Sequence, residues 1–182
     1  MPISEATYER VSLEDPEGQW ELVCGRLRQK PPMATEHNGV GRKLLRRLVA
    51  QLDERDFSIG HDDARLRIST GLTYIPDLCV IPTALEQRLR LRPRTFEVYE
   101  DPMPLVVEVW SPSTGEYDVE TKLGEYQWRR DLEIWRIHPY ERTLTAWRRQ
   151  SDGTYSETLF RDGSVQPIGL PSVTIELASL FE

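Results

Sequence analysis

Only two cysteines occur in the 182 residues, Cys24 and Cys79, and both lie in apolar, strand-like segments. Two thiols with no histidine beside either cannot assemble a zinc site by themselves, so both are expected as reduced core residues. No apolar run reaches the ~18 residues that a membrane-spanning helix requires. The opening Met1-Pro2-Ile3-Ser4-Glu5 has no basic stretch followed by an apolar one. A secretory leader is therefore not expected, and the expected location is cytoplasmic. Net positive charge is also missing. The chain carries a formal charge of -7, which argues against a generic nucleic-acid binder but not against a local basic surface. Internal repeats and low-complexity segments are absent as well.

The chain does have enough apolar content, 38%, to bury a sizeable core, and its length suits one domain. Residues 1–18, polar and holding Pro2, Pro16 and Gly18, are expected to form a loose arm with one helical turn. Residues 19–182 are expected to form the domain. Trp20 to Cys24 and Arg26 to Arg28 predict a hairpin turned at Cys24-Gly25. Val40, Leu44, Leu45, Leu48, Val49 and Leu52 recur at helical spacing and predict a helix over 39–55, started by Thr35 or Asn38. Strands are predicted at 57–59, 64–68 and 78–81. Residues 83–104 read as a helical turn followed by a loop. Leu105-Val106-Val107-Glu108-Val109-Trp110 is apolar on both faces, the pattern of a central strand covered on both sides. A helix over 117–129 follows, then strands at 132–137, 143–149, 154–160 and 172–177, with turns at Asp152-Gly153 and Asp162-Gly163. This order predicts a mixed α/β (α+β) domain with one central mixed sheet flanked by helices.

The acids stand in unusual places. Glu108 interrupts the most apolar strand, Asp77 opens Leu78-Cys79-Val80-Ile81, and Glu21 lies between Trp20 and Leu22. Ionised carboxylates are costly to bury without a positive partner. A divalent cation fits that need. Mg²⁺ takes oxygen ligands, usually one or two carboxylates with water and substrate phosphate, and it keeps its ligands ionised. Asp118, Lys122 and Tyr126 are spaced four apart and share one helical face. If that face meets the strand ends, the Lys122 ammonium reaches the acids and can stabilise charge on a phosphoryl group.

The same residues also admit plainer readings. Glu108 could pair with a core arginine, Asp77 could cap a turn, Glu21 could sit on a solvated edge, and Lys122 could face solvent. His37 could approach a metal or phosphate, or lie on the surface near a helix start. Tyr126 reads as packing, and His61 and His138 read as incidental. Ser111-Pro112-Ser113-Thr114 fits either a phosphate-binding loop or a helix cap. Arg42, Lys43, Arg46 and Arg47 on the first long helix, and Arg88, Arg90, Arg92 and Arg94 in the later loop, are the two basic groups that could touch DNA. The tryptophans are expected in the core, since their spacing makes no base-stacking platform.

Asp77, Glu108 and Lys122 resemble the Asp–Glu–x–Lys nuclease superfamily, in the variant whose lysine has moved to the following helix. More closely, the chain is similar to the Uma-two family of restriction endonucleases. The segments that carry the likeness are Trp20–Gly25, Ile75–Val80, Leu105–Thr114, the Asp118, Lys122 and Tyr126 face leading into Ile134-Trp135, and Leu170-Pro171 with Leu177–Leu180. They span about residues 5–182, and Val107–Thr114 is the most specific of them. The resemblance implies a restriction-endonuclease-like fold and a Mg²⁺-dependent endonuclease (Mn²⁺ as substitute) acting on DNA. It implies that Asp77 and Glu108 ligate the metal, with the Val109 carbonyl as a further ligand. It also implies active-site roles for Glu21 and Lys122. Two copies pairing as a homodimer would suit such an enzyme, although the sequence shows no interface. The chain departs from the pattern at Trp110, where the superfamily's usual lysine would stand, and at Trp128-Arg129-Arg130-Asp131, which lacks a glycine before the strand. A nuclease-fold binding or regulatory module without catalysis is the competing expectation, motivated by the acidic net charge. A hydrolase of small phosphoesters is a third.

Overall fold

The computed structural model describes residues 2–31, 33–90, 96–112 and 115–182, and of 115–119 the backbone alone. The chain opens with α1 (Glu5–Glu14), the hairpin β1 (Trp20–Val23) and β2 (Arg26–Gln29), and α2 (Thr35–Val49). Then come β3 (Phe57–His61), β4 (Leu66–Ser69), β5 (Leu72–Tyr74), β6 (Leu78–Pro82) and α3 (Thr83–Leu89). The second half runs β7 (Leu105–Val109), α4 (Gly115–Trp128), β8 (Glu133–His138), β9 (Thr143–Arg149) and β10 (Tyr155–Phe160). It closes with β11 (Ser164–Val165), β12 (Ile175–Glu176) and α5 (Ala178–Phe181).

The central sheet has the order β10-β9-β8-β7-β6-β3. It is mixed: β7 and β8 run parallel, and the other neighbours pair antiparallel. The helix α4 makes the crossover that a parallel pair needs. A second sheet, β2-β1-β5-β4, is joined to the first by the short link Ile75-Pro76-Asp77. Every residue of β7 is buried, as its two-sided apolar pattern requires. Leu105, Val107 and Val109 pack with Val40, Leu44 and Leu48 of α2 and Leu180 of α5, whereas Val106 joins Tyr126 of α4 and Tyr74 of β5 on the opposite face. Glu108 therefore shares the face of α4 and the second sheet.

Several elements differ from the sequence expectations for local reasons. Residues 1–18, expected as a loose arm, carry a ten-residue helix capped by the Ser4 side chain on the Thr7 N–H. Tyr8 of that helix is fully buried, packs edge-on against Phe96, and donates its hydroxyl to the Trp20 carbonyl at 2.8 Å. The helix α2 starts four residues before the predicted position, on Ala34, so neither Thr35 nor Asn38 is its cap. It also stops at Val49 rather than 55, where Asp53 accepts the Arg55 N–H (2.9 Å) and its guanidinium and sustains a turn in place of another helical turn. The three-residue strand β5 was not predicted, being too short to display alternation. The hairpin turn falls at Cys24-Gly25 as predicted, with φ of 50° and 73°. Cys24 is nevertheless exposed, contrary to the core position expected of it, because it occupies the turn itself; Cys79 is buried. Among the described residues no helix is long and apolar enough to cross a membrane.

Candidate active site

The register of the strands brings the acids together. Leu78 pairs with Val107 across β6 and β7, so one step further Asp77 stands opposite Glu108. Leu22 pairs with Thr73 across β1 and β5, which carries Glu21 to the Ile75-Pro76-Asp77 link, where its Oε1 accepts the Ile75 N–H at 2.9 Å. The helix α4 lies over the same face. Its Lys122 Nζ donates to Glu21 Oε1 at 3.0 Å and to Glu108 Oε1 at 3.3 Å, and also sits 5.1 Å from the Tyr74 ring centre. Glu21, Asp77, Glu108 and Lys122 are all buried. The four side chains singled out from the sequence thus form one cluster, at the junction of the two sheets.

Asp77 is held from three directions. Its Oδ1 accepts from Lys30 Nζ at 2.8 Å, and its Oδ2 lies 3.0 Å from His37 Nε2 and accepts the Val109 N–H at 2.6 Å. Burial alone would raise the Asp77 carboxyl, but Lys30 and His37 outweigh it and hold the group well below the usual carboxylate range. Burial likewise opposes the charge on His37, yet the bond to Asp77 prevails and its imidazole is shifted upward. Lys30, depressed by burial but raised more by Asp77 and then Asp62, keeps its proton. Glu108 behaves differently. Its carboxyl stands raised to about 7: burial pushes it up most, Lys122 pulls it down in part, and the nearby Asp77 pushes it up again. Its Oε1 takes the Tyr126 hydroxyl at 2.7 Å as well as Lys122. Its Oε2 has no hydrogen-bond partner among the described residues.

Three further residues of this cluster lie outside the set of site residues expected from the sequence. Tyr126 reads as packing from the sequence, although its place four residues after Lys122 on one helical face links it to the acids once that face meets them. The sequence allows His37 either a surface place or the site; it is buried against Asp77 because α2 begins early enough to carry it. Lys30 had no local signal at all. It follows a four-residue strand and meets Asp77 only in the folded chain. The positive charge that the buried acids require thus comes in part from Lys30 and Lys122.

The donor set can still accommodate a hard cation. A carboxylate has about four lone-pair positions; among the described residues, Asp77 uses three of its own and Glu108 leaves one oxygen without a partner. Oxygen-only coordination by two carboxylates, completed by water and phosphate, is the style of Mg²⁺. Among the described residues no three His, Cys, Asp or Glu side chains converge to hold an ion alone.

The basic groups are less available than their sequence suggests. Lys43 and Arg47 of α2 bind the C-terminal segment through Leu180, Glu182 and Ser179. Arg88 pairs with Asp101 and Arg90 with Glu86. Arg42 and Arg46 are exposed. Arg92, Arg94, Ser113 and Thr114 lie outside the described residues, as does the Asp118 side chain. Two of the larger surface grooves, of about 780 Å³ beside Leu45, Val49 and Phe57 and about 800 Å³ beside Arg67, Trp128 and Arg149, do not include the acids.

Comparison with known proteins bears on the family and the fold. A family model described as "Putative restriction endonuclease" (Uma2) matches residues 6–178. A crystal structure of "a putative nuclease belonging to DUF820" from Anabaena variabilis superposes with a TM-score of 0.76 at 18% identity, covering 99% of this chain and 98% of that one. At that identity it shows the fold, a restriction-endonuclease-like one. No curated protein matches the chain. The family match spans nearly the whole sequence and includes every residue of the acidic cluster, so this chain belongs to the Uma2 family of restriction-endonuclease-like proteins.

Proposed function

We propose that the chain is a divalent-metal-dependent endonuclease that hydrolyses DNA phosphodiester bonds. The observation that carries this reading is Lys122 Nζ set between Glu21 and Glu108, at 3.0 and 3.3 Å, with Asp77 opposite Glu108 across the β6–β7 pair. In this reading Asp77, Glu108 and the Val109 carbonyl hold Mg²⁺, with Mn²⁺ as a substitute. When bound, the ion neutralises phosphoryl charge and lowers the pKa of a coordinated water. Lys122 offers its ammonium to the charge that develops on the phosphate. Glu21 keeps that ammonium aimed and is a further ligand of the ion, directly or through water. Tyr126 fixes Glu108 through Oε1, so that among the described residues Oε2 is the oxygen without a partner. A pair of copies would place two such sites on the two strands of a duplex, and a cytoplasmic setting suits such an enzyme.

Incubation of plasmid DNA with the purified chain, in Mg²⁺, Mn²⁺ or EDTA, tests the reading. Cleavage is expected with either metal and none with EDTA. Glu108→Ala and Lys122→Ala are each expected to lower the rate at least about a hundredfold, the size of losing one preorganised electrostatic contact. A chain that binds no divalent ion and cuts no nucleic acid refutes it. The second reading, a nuclease-fold module without catalysis, draws on one observation: Lys30, His37 and Val109 already satisfy Asp77 without a metal. Unchanged metal binding and unchanged activity in both alanine variants would establish that reading instead.

A further inference from the structure

Lys30 is a cation at the site with no part in the chemistry above. Its Nζ lies 2.6 Å from Asp62 Oδ1 and 2.8 Å from Asp77 Oδ1, and only 4% of its side chain is exposed. A closed set of contacts builds this placement. The Lys30 N–H donates to the Gln19 carbonyl at 3.2 Å, Gln19 Nε2 donates to the Asp62 carbonyl at 3.0 Å, and the Asp62 N–H donates to the Asp77 carbonyl at 3.1 Å. Gln19 and Asp62 both hold left-handed backbone conformations, φ 45° and 59°, which non-glycine residues adopt only where the surroundings demand it. The fold therefore spends local strain to aim two carboxylates at one point, and an ammonium group occupies that point. Two converging carboxylates are also what a Mg²⁺ position usually offers. Lys30 further takes one of the lone-pair positions of Asp77; with His37 and Val109 on two others, a single position remains for an ion.

We propose that Lys30 is a built-in cation standing where a second divalent ion would otherwise bind. The site then takes one ion only, shared by Asp77 and Glu108, and loss of the lysine charge opens a second cation position between Asp62 and Asp77. This rests on the reading of Asp77 and Glu108 as metal ligands. Lys30 is a positioning residue in this scheme: it sets the number of ions and the direction of Asp77 without touching substrate.

Titration of the full chain with Mn²⁺, without nucleic acid, tests this. Calorimetry gives the stoichiometry, and electron paramagnetic resonance of free Mn²⁺ gives an independent count. The wild type is expected to bind one ion. Lys30→Met is expected to bind two, Lys30→Arg one, and the double variant Lys30→Met/Asp62→Asn one again. Should Lys30→Met not fold, Lys30→Gln, which is one atom shorter but keeps a hydrogen-bond donor without the charge, is expected to bind two. Two ions on the wild type overturn the proposal, as does a single ion on a folded, charge-free variant. No ion on the wild type overturns the metal reading itself, and so separates its failure from failure of the role given to Lys30.

Discussion

Lys122 makes the clearest demand at the scale of a single residue. It is the cation between Glu21 and Glu108, and all three side chains are nearly out of solvent. Breaking a buried pair by removing one partner leaves an uncompensated charge and costs about 3–5 kcal/mol. Lys122→Met is therefore expected to lose stability of that order in urea unfolding, whatever it does to activity. A loss below about 1 kcal/mol would mean that water already compensates the acids. Asp77 makes a second demand, on pH. Its folded pKa lies below the unfolded value, so its ion pairs stabilise fully above the ordinary aspartate range near ~4. That contribution is lost as pH falls from there toward the folded value. In EDTA, the stability gap between wild type and Asp77→Asn is expected to be widest at about pH 6 and to shrink by about pH 3. A gap independent of pH would refute the charge-based account of Asp77.

At the scale of elements, the site depends on registers more than on any one contact. A one-residue slip between β6 and β7 would send Glu108 to the face of α2, away from Lys122. The burial of Val106 against α4 and of Val107 against α2 opposes that slip. The helix α1 is a structural part of this frame. It buttresses β1 through Tyr8, whose ring is fully buried and whose hydroxyl meets Trp20 beside Glu21. Tyr8→Ala is expected to cost about 3–5 kcal/mol, the range of large aromatic deletions, and Tyr8→Phe only about 1 kcal/mol for the lost hydrogen bond. Equal small effects in thermal or chemical unfolding would mean that the helix merely rests on the domain.

At the scale of the molecule, the proposed nuclease reading requires an acidic chain with a charge of -7 to meet DNA through a restricted surface. Of the four basic residues on α2, Lys43 and Arg47 are spent on the C-terminal segment, leaving Arg42 and Arg46 facing solvent. Two phosphate contacts from these give an expected slope of about −2 for log affinity against log salt. The arm expected to flatten it is Arg42→Ala/Arg46→Ala, read by fluorescence anisotropy of a labelled duplex in EDTA. A slope of the wild type near −6 would point to another surface altogether.

The acids at 21, 77 and 108 were legible as buried charges in need of a partner because strands rich in Val, Leu and Ile tolerate a carboxylate only where something compensates it. The central strand was legible for the same reason of burial, and α2 and α4 through their periodicity. Lys30, His37, Asp62 and Tyr126 were not legible as partners, since each is ordinary in its own segment and gains its meaning from a neighbour between 18 and 47 positions away. The sequence alone determined where buried charge had to be answered, because hydrophobic patterning and the cost of desolvation are local properties of a segment. Only the tertiary structure decided what answers it, because the pairing register and the junction of two sheets choose which lysine, histidine or tyrosine arrives within hydrogen-bonding reach.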